Sequence, residues 1–161
     1  MTHPRATALL GCLVGALLAS PAGTHAQSLE FDDEGFLIAS PEDLIPPEGE
    51  RGINLVGDPS EPGLYVVQLT WPPGTGSRPH YHNNARHIQV LKGTWYVATG
   101  AAADIYDPDN MIPVEEGSFI YQPPEGHHYD MAKDEEVVVK IWGLGPVVTT
   151  RIPQPGDFAR E

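Results

Sequence analysis

Basic residues are scarce in this chain: nine Lys and Arg stand against 22 Asp and Glu, a formal charge of −13. A surface this acidic repels nucleic-acid phosphates and anionic lipid, so neither is expected as a partner. Cysteine is scarcer still, with Cys12 alone. It lies in an apolar run, Ala8 to Ala19, whose 12 residues fall short of the about 20 needed to cross a bilayer. No membrane anchor is therefore expected. Helical patterning is also missing. No segment after residue 26 sustains apolar residues at i, i+3, i+4 and i+7, so little helix is expected.

The run is preceded by Arg5 and followed by the small-residue stretch SPAGTHA. Residues 1–26 are thus expected to form an export signal cut before Gln27, with a periplasmic or secreted product. Leu9-Leu10-Gly11-Cys12 also resembles a lipoprotein signal, but the apolar run continues past Cys12, against that reading. Removing 26 of 161 residues leaves 135, the size of one domain. The leader takes Arg5 and no acid with it, leaving 8 basic against 22 acidic residues, or −14. It also takes Cys12, so disulfides, thiolate nucleophiles and cysteine metal ligands are all excluded from the product.

What remains is a succession of short β-prone segments. Residues 27–54 are rich in Asp, Glu and Pro and read as an extended N-terminal arm, with one short strand at Phe36 to Ala39. Strands are expected at Leu64–Trp71, His87–Leu91, Thr94–Thr99, Ser118–Gln122, Glu136–Trp142 and Val147–Ile152. Gly- and Pro-rich turns separate them, the pattern of an all-β sandwich or barrel. Gly100 to Pro113 reads as a solvated loop. Its DPDN stretch lacks the spacing and closing Glu of a calcium-binding EF-hand.

After residue 26 the histidines fall into two groups: His80, His82 and His87, then His127 and His128. His80 and His82 are two apart, so on a strand both rings leave from one face. A third ring from a distant strand would complete a three-nitrogen site. Imidazole suits Fe, Mn, Zn, Cu and Ni, so the ligands imply one divalent transition metal ion without naming it. Three protein ligands would leave positions open for water or substrate.

The residues framing these histidines resemble the cupin superfamily. Its first motif, glycine, five residues, HxH, three or four residues, Glu, six residues, glycine, is matched by GTGSRPHYHNNARHIQVLKG, Gly74 to Gly93, except at the Glu. Its second motif is matched by GSFIYQPPEGHHYD, Gly117 to Asp130, with a slightly altered turn. The resemblance covers roughly residues 55–152 and implies an all-β fold, a single cupin-type jelly-roll β-barrel with an extended N-terminal arm. A tail follows at 153–161. The resemblance implies His80, His82 and His128 as metal ligands, with His127 beside them or exchanging roles with His128. It also implies pairing into a homodimer through the arm.

The family's Glu position is Arg86 here, and a guanidinium cannot coordinate a cation. Three arrangements follow. Arg86 points inward beside a three-histidine site and binds an anionic substrate; or a bulge turns His87 inward as a fourth ligand; or the barrel holds no metal and Arg86 binds an anion alone. Strand alternation favours the first, since it buries Ile88 and Val90 and turns His87 and Gln89 out. An ion pair of Arg86 with Asp130 is an equal alternative to substrate binding. Tyr121 is a candidate to line the cavity and bind substrate, with core packing, the commoner role of a barrel aromatic, as the alternative. Trp71, Tyr96 and Trp142 are expected in packing roles, and Lys140 outside. No catalytic residue stands out. Two functions are in view: an exported mononuclear non-haem metal enzyme of oxygenase type acting on a small anion, or a non-catalytic periplasmic metal- or small-molecule-binding protein.

Overall fold

The computed structural model describes residues 29–157. The export signal and Cys12 read at residues 1–26, and the last residues of the tail, lie outside them. No helix among the described residues is long and apolar enough to cross a membrane.

Among the described residues, eleven strands form two antiparallel sheets. In chain order they are β1 (Gly52–Val56), β2 (Gly63–Trp71), β3 (Thr75–Gly76), β4 (His80–His82), β5 (Arg86–Lys92), β6 (Trp95–Thr99), β7 (Ile112–Val114), β8 (Phe119–Gln122), β9 (His128–Ala132), β10 (Val137–Gly145) and β11 (Thr149–Arg151). The first sheet runs β1-β2-β10-β5-β8. The second runs β11-β4-β9-β6-β7, with β3 against β9. Apart from β1–β2 and β6–β7, the pairings join strands that are not consecutive, as a jelly roll requires, and this is the expected all-β architecture.

Period-two patterning explains how the two sheets meet. In β10, Val137, Val139 and Ile141 are buried while Val138, Lys140 and Trp142 lie on the other face. In β5, Ile88 and Val90 are buried and Gln89 is exposed, as alternation predicted. Tyr65 and Val67 from β2 join them, and Trp95, Val97 and Ala132 answer from the second sheet. Each side chain so buried contributes on the order of 1.5–3 kcal/mol. Trp71 packs against Trp95 at 4.9 Å between ring centres. Two glycines are required. Gly93 turns β5 into β6 at φ 75°, where an added Cβ would sit 2.6 Å from the Glu136 carbonyl oxygen. At Gly76 a Cβ would sit 2.7 Å from the Asp130 carbonyl oxygen, so β3 can close on β9 only without a side chain.

Two expectations are corrected. Phe36 to Ala39 is not a strand. The Asp32 carboxylate accepts the Glu34 and Phe36 backbone N–H groups, curling the chain into a turn, and Phe36 and Ile38 are exposed. The arm instead carries a single 3-10 turn, Glu42–Leu44, tied to β2 where the Gln68 amide donates to the Leu44 carbonyl. The first strand already begins at Gly52. The stretch read as a solvated loop also has structure: a 3-10 turn at Gly100–Ala103, and β7 at its end. It packs on a small second cluster of Ala98, Ala103 and Tyr129, and the Tyr129 hydroxyl bonds both backbone groups of Asp107.

Candidate metal centre

Strand β4 is only three residues long, yet both its ends are held. It pairs with β11 on one side, and with β9 through His80 opposite His128. This register brings together rings that are 46 and 48 positions apart in sequence. His80, His82 and His128 each offer one ring nitrogen, and the three nitrogens lie within 4.8 Å of one another. His80 Nε2 and His82 Nε2 are 3.1 Å apart. Two nitrogens each about 2.1 Å from a shared ion stand roughly 3.0–3.4 Å apart, so this pair is already at ligand spacing. His128 has the remaining distance to close.

Hydrogen bonds on the far side of each ring fix what faces inward. His80 Nδ1 donates to the Arg78 carbonyl at 2.6 Å, and His128 Nδ1 to the Gly126 carbonyl at 2.8 Å. His82 Nδ1 meets the Thr149 hydroxyl at 3.0 Å. In His80 and His128, carbonyl acceptors demand a proton on Nδ1, so a neutral ring presents a bare Nε2 lone pair to the centre. Burial keeps the rings neutral. It pushes His82 down to about 2 and His128 down to about 4, with Arg86 adding repulsion in both. His80 is lowered too, by burial first and then by His128. Neutral imidazoles converging with lone pairs inward fit a divalent metal ion, and the all-nitrogen donor set suits the transition series.

Arg86 reaches this cluster from the opposite sheet. It stands opposite Gln122 in the β5–β8 ladder. Its Nε and Nη2 both donate to Gln122 Oε1, at 3.1 and 2.7 Å, and Nη2 also lies 3.2 Å from His128 Nε2. Arg86 thus points inward, as strand alternation predicted. The fourth-histidine arrangement is not adopted: His87 lies on the outer face, stacked on Trp142 at 5.6 Å and 13°. Arg86 makes no ion pair with Asp130 among the described residues.

Tyr121 does not line the barrel interior. It is opposite His87 in the ladder, 5.4 Å from that ring and 54% exposed, so alternation sends it outward and its neighbour Gln122 inward. Trp142 shares this outer face. His127 also turns away, bonding Asp104 at 2.5 Å and stacking on Tyr81.

Two further interior residues stand beside the cluster: Gln122, to which the sequence reading assigned no role, and Asp130, which it offered only as an ion-pair partner of Arg86. Gln122 is buried, with its amide nitrogen unpartnered. Asp130 is buried two positions after His128 on β9, and its Oδ1 has no hydrogen-bond partner. Burial pushes its carboxyl up to about 6, opposed by the positive charge of Arg86. The signal for both was present: Gln122 lies five residues after Gly117, and Asp130 shares its parity with His128.

No protein-family model matches the chain, and no curated protein matches it in sequence. Solved structures do match in shape. A conserved protein with a double-stranded β-helix domain from Klebsiella pneumoniae subsp. pneumoniae aligns at a TM-score of 0.54 and 18% identity, over 72% of this chain and 96% of that one. A cupin-like protein from Thermotoga maritima aligns at 0.51 and 19%, over 63% and 75%. The DMSP lyase DddQ from Ruegeria pomeroyi aligns at 0.51 and 13%, over 62% and 50%. The chain thus spans about half the length of the DMSP lyases it matches.

Proposed function

Starting from a chain that has the cupin fold, we propose that it is an exported, mononuclear metal-binding protein whose centre acts on a small anionic molecule. The observation that carries this reading is the convergence of three buried, neutral imidazoles, with His80 Nε2 and His82 Nε2 at 3.1 Å. His80, His82 and His128 would hold the ion. When bound, it would supply Lewis-acid or one-electron chemistry at positions the protein leaves open. The most concrete form is a non-haem Fe(II) centre of oxygenase type.

The chain's own residues have separate tasks. Arg86 orients an anion and neutralises its charge, held in place by Gln122. Asp130 is the one buried carboxyl beside the cluster, and its value of about 6 suits it to take or give a proton near neutrality.

A second reading, a non-catalytic metal- or small-molecule-binding protein of the periplasm, is supported by one contact. The guanidinium at His128 stands where the family's fourth ligand would add negative charge, which weakens retention of a cation. Metal analysis of protein purified without added metal separates the two. One tightly held iron or manganese ion per chain supports catalysis, and loose, exchangeable copper or zinc supports binding. Failure of metal-stripped protein to bind any of these ions overturns the first reading and leaves only small-molecule binding from the second. Export is tested by fractionation: the mature chain should begin at Gln27.

A further inference from the structure

The guanidinium of Arg86 and a metal ion compete for one lone pair. His128 spends its Nδ1 proton on the Gly126 carbonyl, so its ring has a single acceptor, Nε2. Arg86 Nη2 lies 3.2 Å from that atom. A nitrogen accepting this hydrogen bond cannot also coordinate a cation, so the ion can gain its third ligand only when Arg86 lets go.

Letting go is costly without help. Arg86 is partly buried and belongs to none of the ion pairs among the described residues. Its only other acceptor among the described residues is Gln122 Oε1, which already takes two of its N–H groups. A guanidinium stripped of His128 and left beside a dication is a desolvated charge facing a like charge. The surroundings nevertheless offer unspent donors: among the described residues Arg86 Nη1 makes no hydrogen bond, and the buried Gln122 Nε2 has no partner. These donors sit on cross-strand neighbours, side by side. Asp130 is the acid whose charge acts on Arg86, and its unpartnered Oδ1 does not reach ion-pair distance.

We propose that Arg86 links metal loading to carboxylate binding: a small carboxylate draws the guanidinium off His128, and ion and carboxylate enter the centre as one coupled event. The substrate class follows from the geometry. A carboxylate has one oxygen for the forked donors of Arg86 and Gln122, and another for the ion. This inference rests on the metal-centre reading and adds a thermodynamic statement to it. Each ligand must raise the affinity of the other by the same factor.

The test is calorimetric titration of manganese(II) into metal-stripped mature protein, with acetate or with chloride at matched ionic strength. Acetate should tighten manganese binding by about tenfold, within the usual span of coupled sites, and manganese should tighten acetate binding equally. In Arg86→Ala, manganese should bind more tightly than in the wild type without acetate, and acetate should no longer matter. Circular dichroism confirms that the variant is folded, and the wild-type comparison stands without it. Manganese binding that ignores acetate in the wild type overturns the linkage and leaves the metal centre intact. No manganese binding in either protein overturns the metal centre and the linkage together.

Discussion

Arg86 and Gln122 face each other across β5 and β8, joined by two hydrogen bonds to one oxygen at 3.1 and 2.7 Å. Their shared inward direction sets the parity of both strands. It sends Ile88 and Ile120 into the barrel with them, and His87 and Tyr121 out.

Removing that oxygen should cost stability as well as ligand binding. Gln122→Leu keeps the volume but strands two guanidinium N–H groups, a loss of about 1–3 kcal/mol. Urea denaturation checks it; an unchanged midpoint would show that Arg86 finds another acceptor.

Residues on the outer face should not affect the metal. His87→Ala and Tyr121→Phe should bind manganese as the wild type does, because both rings lie on the far side of the sheet from the histidine cluster. A tenfold loss in His87→Ala would revive the four-histidine arrangement.

The ligand set should behave as a unit. His80→Ala combined with His82→Ala should abolish metal binding with the barrel still folded, since neither ring belongs to the main hydrophobic core. Retained metal by plasma emission analysis would mean that the ion sits elsewhere.

The metal-free barrel should weaken in mild acid. His82 and His128 have folded values of about 2 and about 4, below the ordinary 6.5. Above pH 6.5 both states are neutral there. Below it the unfolded chain takes up protons that the folded one refuses, so stability falls as pH drops. Asp130, raised to about 6, acts oppositely: its contribution is fullest at low pH and is lost as pH rises through 6. Two histidines against one acid leave a net loss on the order of 1 kcal/mol per pH unit between about pH 6 and 4. Thermal melts across that range would show it, and a flat profile would contradict buried neutral rings.

Core packing supplies a control. Ile88 is 1% exposed and Ile38 is 91% exposed. Ile88→Ala should cost about 2–5 kcal/mol, and Ile38→Ala less than about 0.5 kcal/mol, by denaturant titration.

Much of the barrel was legible because alternation is local. The inward Ile88 and Val90, the outward Lys140 and His87, and the shared face of His80 and His82 all follow from counting residues in pairs. The histidine cluster was readable because glycines and prolines at fixed intervals frame it. Tyr121 was misassigned even though the same counting, carried across the ladder from Arg86, would have turned it outward. That step needs the β5–β8 register, which no single segment contains. Gln122 escaped, and Asp130 was seen only as a partner of Arg86, for a related reason. An amide or acid on a strand reads as solvated until pairing shows which face is covered. The arm failed differently: Phe36 and Ile38 alternate like a strand, but no neighbouring strand is there to bond them, and Asp32 captures the backbone first.

In strand β11 the Thr149 hydroxyl touches His82 Nδ1 at 3.0 Å while the backbone flanks β4. The short strand bearing His80 and His82 is thus braced by Thr149 to Arg151. Occupancy of the centre should register there as slowed amide exchange, making the closing segment a built-in gauge of whether the protein is loaded.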